Sequence, residues 1–107
     1  MKNTVVGLVE VVEINGKKFK ARIDTGAQTG SIDAGVASRL GLRHITRYTE
    51  VISASGMSYR KVVKAVVKIK NRKIRASFTV ADRSNLSFKV LIGRNILRKN
   101  FLVDCKK

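Results

Sequence analysis

Asp24-Thr25-Gly26-Ala27 holds the residue types from which acid/base chemistry can be built. A carboxylate can take up or release a proton, a threonine hydroxyl can hydrogen-bond adjacent main chain, and glycine lets backbone approach a substrate. The preceding run, Lys18-Phe19-Lys20-Ala21-Arg22-Ile23, reads as a strand, so this carboxylate stands at a strand tip where a turn begins. Taken alone, three such residues more often make an ordinary Asx-type turn than a site. A second motif gives them weight: Val90-Leu91-Ile92-Gly93-Arg94-Asn95-Ile96-Leu97, about seventy residues later, runs from apolar residues into glycine.

The two motifs at this spacing have the layout of a retropepsin-type aspartic protease protomer, and the chain resembles that family along nearly its whole length. Within it the chain is most similar to the branch called ATP-dependent zinc proteases. That likeness runs through Ile23-Asp24-Thr25-Gly26-Ala27-Gln28-Thr29-Gly30-Ser31, through Ala81-Asp82-Arg83-Ser84, and through Val90 to Asp104. The resemblance implies a mainly β fold: a retropepsin-like (acid protease) closed β-barrel protomer with one or two short helices, residues 1–107 forming a single domain, assembled as a C2 homodimer. The implied activity is that of an aspartic endopeptidase.

Aspartic proteolysis needs two carboxylates that share one proton, one activating water while the other polarises the scissile carbonyl. The chain has a single Asp-Thr-Gly, so two protomers must each contribute Asp24 across a two-fold axis. By resemblance, Asp24, Thr25 and Gly26 are the catalytic set. Thr25 braces the dyad through hydroxyl-to-backbone bonds, and Gly26 offers its carbonyl to substrate. Ala27, Ser55, Gly56, Met57 and Ile92 are the implied substrate-binding residues, with Ser55 and Gly56 at a flap tip. Gly93 lets the following segment pack beneath the active-site loop, and Arg94 ties that segment down. The retroviral pattern places an aspartate two residues after the glycine as a partner for this arginine. Here Gln28 stands there, leaving Asp33, Asp82 or Asp104 as alternatives for Arg94.

The elements that must position these residues read as short alternating runs with no proline and no linker. Asn15-Gly16 signals a two-residue hairpin between Leu8–Ile14 and Lys17–Ile23, with Glu13 opposite Lys18 and Val12 opposite Phe19. Ser31 to Gly41 reads as a short helix, with Asp33 as N-cap, Gly41 as the stop, and Val36, Ala37 and Leu40 as its apolar stripe. Val51–Met57 and Tyr59–Ile69 flank Ser53-Ala54-Ser55-Gly56, either a flap hairpin or a plain surface one. A further hairpin, Val62–Lys70 with Lys73–Val80, is expected around Asn71-Arg72, putting Lys68 opposite Arg75 and Lys70 opposite Lys73. The last segment, Leu86 to Val90 and then Leu91-Ile92-Gly93, leads into a short helix from Arg94 to about Lys99. Phe101-Leu102-Val103 resembles the terminal strand that interleaves between protomers in the family.

Twenty-three Lys and Arg against seven acids give a net charge of +16. Eight basic residues and no acid lie between Val51 and Ala81. Such an excess favours an anionic partner, or is simply a solvated lysine-rich surface. The expected partners are a second copy of the chain and a peptide or protein substrate, acidic ones being favoured by the charge. The alternative function is a basic, non-catalytic module of the same fold that binds RNA, ribosome or acidic protein. A lone cysteine, Cys105, fits a reducing compartment, and neither a membrane span nor a secretory pattern is present, so a cytoplasmic location is expected. One histidine, His44, and one cysteine do not make a zinc site, and no phosphate-binding loop is present. Neither metal nor nucleotide cofactor is expected, despite the name of the branch.

Overall fold

In a computed structural model, which describes residues 2–54 and 56–107, the described residues form nine strands and two short helices. In chain order they are β1 (Thr4–Val6), β2 (Val9–Ile14), β3 (Lys17–Ile23), β4 (Gly30–Asp33), α1 (Ala34–Arg39), β5 (Arg43–Ser53), β6 (Gly56–Ile69), β7 (Arg72–Ala81), β8 (Val90–Ile92), α2 (Arg94–Leu97) and β9 (Phe101–Val103). Seven strands make one sheet in the order β2-β3-β8-β4-β7-β6-β5, and β2 also pairs with β6. That second pairing closes six of them into a barrel and leaves β5, with the outer half of β6, as a projecting hairpin. Phe78, Ile14, Ile32, Ile69 and Ile92, all fully buried, fill the interior.

The first hairpin turns at Asn15-Gly16, both at positive φ, and pairs Glu13 with Lys18 and Val12 with Phe19 as expected. The β6–β7 hairpin differs from expectation by one residue. Its turn is Lys70-Asn71, with φ of 50° and 68°, and it pairs Ile69 with Arg72 and Lys68 with Lys73. The inward set of Val63, Ala65, Val67, Ile74, Ala76 and Phe78 is unchanged, because a slip of one residue on each strand preserves the faces. Charge favours the observed register. Lys68–Lys73 is the single like-charge pair in this hairpin, Glu13 flanks Lys68 on its other side, and Arg75 lies opposite Val66. Asn71→Ala, forcing a β-carbon residue without Asn's local bonding into the left-handed region, should cost about 1 kcal/mol in a urea melt. Asn71→Gly should cost none of it.

The expected helix from Ser31 is a buried strand, β4, for its first three residues. Asp33 then caps α1, its Oδ2 accepting from Gly35 and Val36 N–H at 3.1 and 3.3 Å, and Gly41 follows the helix at φ 62°. In the last segment the strand is β8, and the residues before it form a loop held by Lys89. Its Nζ donates to the carbonyls of Arg83, Ser84 and Leu86 at 3.0, 2.7 and 3.1 Å. Within the protomer β9 pairs in parallel with β1. Arg72 fastens that pair to the barrel by hydrogen bonds to Asn100 and Lys99 carbonyls and by stacking 4.3 Å from the Phe101 ring centroid.

Candidate active site

β3 ends at Ile23 against β8, with Ile23 opposite Ile92, and Asp24 N–H donates to the Ile92 carbonyl at 2.9 Å. The strand tip thus hands Asp24 to an exposed turn. Its Oδ1 accepts the Gly26 N–H at 2.8 Å, an Asx-type turn, while Asp24 itself stays half-buried and Thr25 and Gly26 are exposed. The Asx turn and the candidate carboxylate are therefore one feature, since the bond that shapes the turn also orients the acid.

α2 lies directly under this loop. Arg94 N–H donates to Ala27 O at 2.8 Å and Asn95 N–H to Gln28 O at 3.0 Å, while Asn95 Oδ1 accepts from Gly30 N–H at 3.1 Å. A β-carbon on Gly93 would sit 2.6 Å from the Thr29 carbonyl carbon, so only glycine permits this approach. Arg94 Nη1 donates to the Thr25 carbonyl at 2.9 Å, tying helix to loop with no carboxylate between them. The three acids considered for it are engaged elsewhere. Asp33 caps α1 and accepts Arg83 N–H at 2.8 Å, and Asp104 accepts Lys106 N–H at 2.9 Å. Asp82 accepts the Ser84 hydroxyl and N–H at 2.6 and 3.0 Å, bonds that hold its carboxyl below the usual value. Removing the Arg94 guanidinium (Arg94→Met) should cost about 1 kcal/mol in urea, the range of an ordinary hydrogen bond, since exposure to water weakens this charged one.

A cleft of about 600 Å³ opens beside Asp24. Gly26, Ala27 and Leu91 line it on the loop side, and Thr49, Val51 and Arg60 of the projecting hairpin line it on the other. Of the residues expected to bind substrate, Ala27 is brought to the cleft. Gly56 and Met57 lie at the hairpin end, Met57 exposed and opposite Ile52, and Ser55 falls outside the described residues. Ile92 does not line the cleft: it is fully buried in the barrel, and Leu91, one residue earlier and on the opposite face, takes its place.

Two residues that the sequence did not single out as site residues stand in this cleft. Arg83, half-buried, reaches it from the loop after β7, its Nε donating to Phe88 O at 2.9 Å. Burial pushes its pKa down, Arg60 and Arg22 add to the effect, and Asp33 and Asp24 oppose it. Ser31, read as part of a helix, is a buried strand residue on the cleft floor between Leu91 and Thr79.

A family model described as gag-polyprotein putative aspartyl protease matches residues 11–99. DNA damage-inducible protein 1 of Saccharomyces cerevisiae is 35% identical over 101 residues, which is 90% of this chain and 23% of that protein. The chain spans about a quarter of the length of the curated relatives it matches. Among solved structures, the EIAV protease complexed with the inhibitor HBY-793 aligns with a TM-score of 0.68 at 26% identity, over 91% of this chain and 86% of that one. A Legionella pneumophila protein with unknown function has the same fold, with a TM-score of 0.72 at 20% identity over 99% of this chain and 96% of that one.

Proposed function

The chain belongs to the gag-polyprotein aspartyl protease family, and on that premise we propose that it is a homodimeric aspartic endopeptidase whose dyad is Asp24 from each protomer. Its retropepsin-like fold places one such carboxylate per chain at the tip of β3, oriented by Gly26 and facing a cleft bounded by the β5–β6 hairpin. That placement is the observation that carries the proposal.

In the dimer, one Asp24 is ionised and takes a proton from water as that water attacks the scissile carbonyl. The other is protonated and donates to the carbonyl oxygen, then the proton gained by the first passes to the leaving amine. Thr25, exposed at the loop tip, would brace the pair across the axis, and Gly26 and Ala27, which line the cleft, would border the substrate. Gly56 and Met57, with Ser55, would close over the peptide from the hairpin. Gly93 and Arg94 hold the loop from beneath. The narrower kinship with the ATP-dependent zinc proteases rests on the motifs from Ile23, Ala81 and Val90, and the mechanism uses neither ion nor nucleotide.

Digestion of a diverse peptide pool between pH 3 and 8 tests this, at a concentration and salt where sedimentation shows a dimer. Moderate salt is needed, because +16 on each protomer opposes association. Cleavage blocked by a peptide carrying a hydroxyethylene isostere, which mimics the tetrahedral intermediate, is the expected result. A dimer that cuts nothing across that range would contradict it.

A second reading has its own observation. A groove of about 620 Å³ on the outer face of the β5-β6-β7 sheet is lined by Arg43, His44, Lys64 and Arg75, with Arg43 directly opposite Lys64 and no carboxylate among the described residues of its walls. A non-catalytic module would use it to hold RNA or an acidic protein. RNA retention at low salt that falls steeply with added salt would favour this reading; no retention at low salt would dismiss it.

A further inference from the structure

We propose that Arg60, Arg83 and the Ser31 hydroxyl form a subsite beside Asp24 that takes a carboxylate side chain of the substrate. This rests on the catalytic reading for its place in a peptide cleft, and adds the chemistry of one subsite to it.

Three observations converge on it. Leu91, Ser31 and Thr79 stand side by side on β8, β4 and β7, all facing the cleft. Thr79 satisfies its hydroxyl on the Gly30 carbonyl at 3.3 Å, but the Ser31 Oγ, on a residue only 5% exposed, has no partner among the described residues. An unsatisfied buried hydroxyl at the floor of an open cleft is a donor awaiting an acceptor. Second, Arg60 and Arg83 both line the same cleft, and neither lies within ion-pair distance of a carboxylate among the described residues. Arg60 shares the cleft-facing side of the hairpin with Thr49, its cross-strand partner. Third, the two guanidiniums stand in one cleft as like charges, and Arg60, after burial, is among the causes that lower the Arg83 pKa. An anion seated between them turns that repulsion into two attractions.

Besides Asp24, the one acid among the described residues of the cleft lining, Glu50, is exposed and lies opposite Tyr59, in the hairpin register that alternates with Thr49 and Arg60. It makes no ion pair with either arginine among the described residues. An apolar substrate side chain at this point would cover two cations and a hydroxyl without satisfying any of them. A glutamate or aspartate would accept from all three.

The test reads binding rather than turnover, so it is separate from the catalytic claim. Peptides identical except for Glu, Gln or Lys, scanned through six consecutive positions, are titrated against Asp24→Asn protein at a concentration and salt where sedimentation shows a dimer. At one position Glu should bind about tenfold tighter than Gln, and Lys more weakly than either. The gap should shrink to about twofold or less when Arg83→Gln or Arg60→Gln is added, and Arg60→Glu should turn the preference toward Lys. Arg83 also supports its loop through Phe88, so the Arg60 variants keep the test valid if an Arg83 variant fails to fold. Ser31→Ala should weaken Glu binding about threefold and leave Gln binding unchanged. Equal binding of Glu and Gln at every position would overturn the subsite, as would a Glu preference that survives both arginine changes.

Discussion

Replacing Asp24 with asparagine is expected to lower peptide cleavage by at least about a thousandfold while the dimer stays folded. Asparagine keeps the shape and the acceptor oxygen that holds Gly26 N–H at 2.8 Å, so the Asx turn persists. The Asp24 N–H bond to Ile92 is main chain and does not change. What disappears is the ability to exchange a proton, and both protomers lose it together. The fold should gain slightly if it changes at all, since two carboxylates brought together at the axis repel each other. Unfolding midpoints equal to or above wild type, with cleavage lost, are the expected pair of results. Cleavage within tenfold of wild type would remove Asp24 from the chemistry.

Gly93→Ala should have the largest effect on stability among loop and helix substitutions near the site, about 3 kcal/mol in urea. The strain is steric, because Gly93 has φ −100° and ψ −175°, an extended geometry open to any residue. A β-carbon there would meet three backbone atoms: the Thr29 carbonyl carbon at 2.6 Å, and Gly30 N and Thr29 O at 2.8 Å each. Those atoms cannot retreat easily. The loop is fastened to α2 on both sides, by Arg94 to Ala27 and by Asn95 to Gln28 and Gly30. Displacing α2 would also loosen Ile96, which is fully buried. Gly16→Ala is the useful contrast. It sits at φ 77° with nothing within 4 Å of the added carbon, so only the backbone penalty of about 1 kcal/mol applies. Equal costs at the two positions would mean that the close packing of loop on helix does not exist in solution.

The turn at Asp24 and the close approach at Gly93 were legible because both are local backbone signals. A carboxylate after a strand needs a turn, and glycine before a helix permits close approach. The first hairpin was legible for the same reason: Asn15-Gly16 admits one common turn and thereby fixes a register. Lys70-Asn71 was missed because lysine rarely enters the left-handed region, so the local signal pointed one residue later. The register was decided instead by a partner far away in sequence, Glu13 beside Lys68. Arg94 was expected to need a carboxylate, and a backbone carbonyl satisfies it, a contact that composition cannot reveal.

The polar subsite was hidden for a different reason. Ser31 looks helical next to Asp33, yet burial between two strands makes it β. Arg83 enters the cleft only because Lys89 and Phe88 fold the loop after β7 back on itself. Ile92 was misplaced by a single residue, and on a strand that exchanges the core face for the cleft face.

A shared dyad makes a prediction that no single-chain mechanism shares. Wild-type and Asp24→Asn protomers are mixed at fixed total concentration, allowed to exchange subunits, and assayed for cleavage. If each dimer needs one Asp24 from each chain, mixed dimers are inactive and the rate falls as the square of the wild-type fraction, to about one quarter at an equal mixture. A rate that falls in simple proportion, to about one half, would show that each protomer works alone and would contradict the dyad.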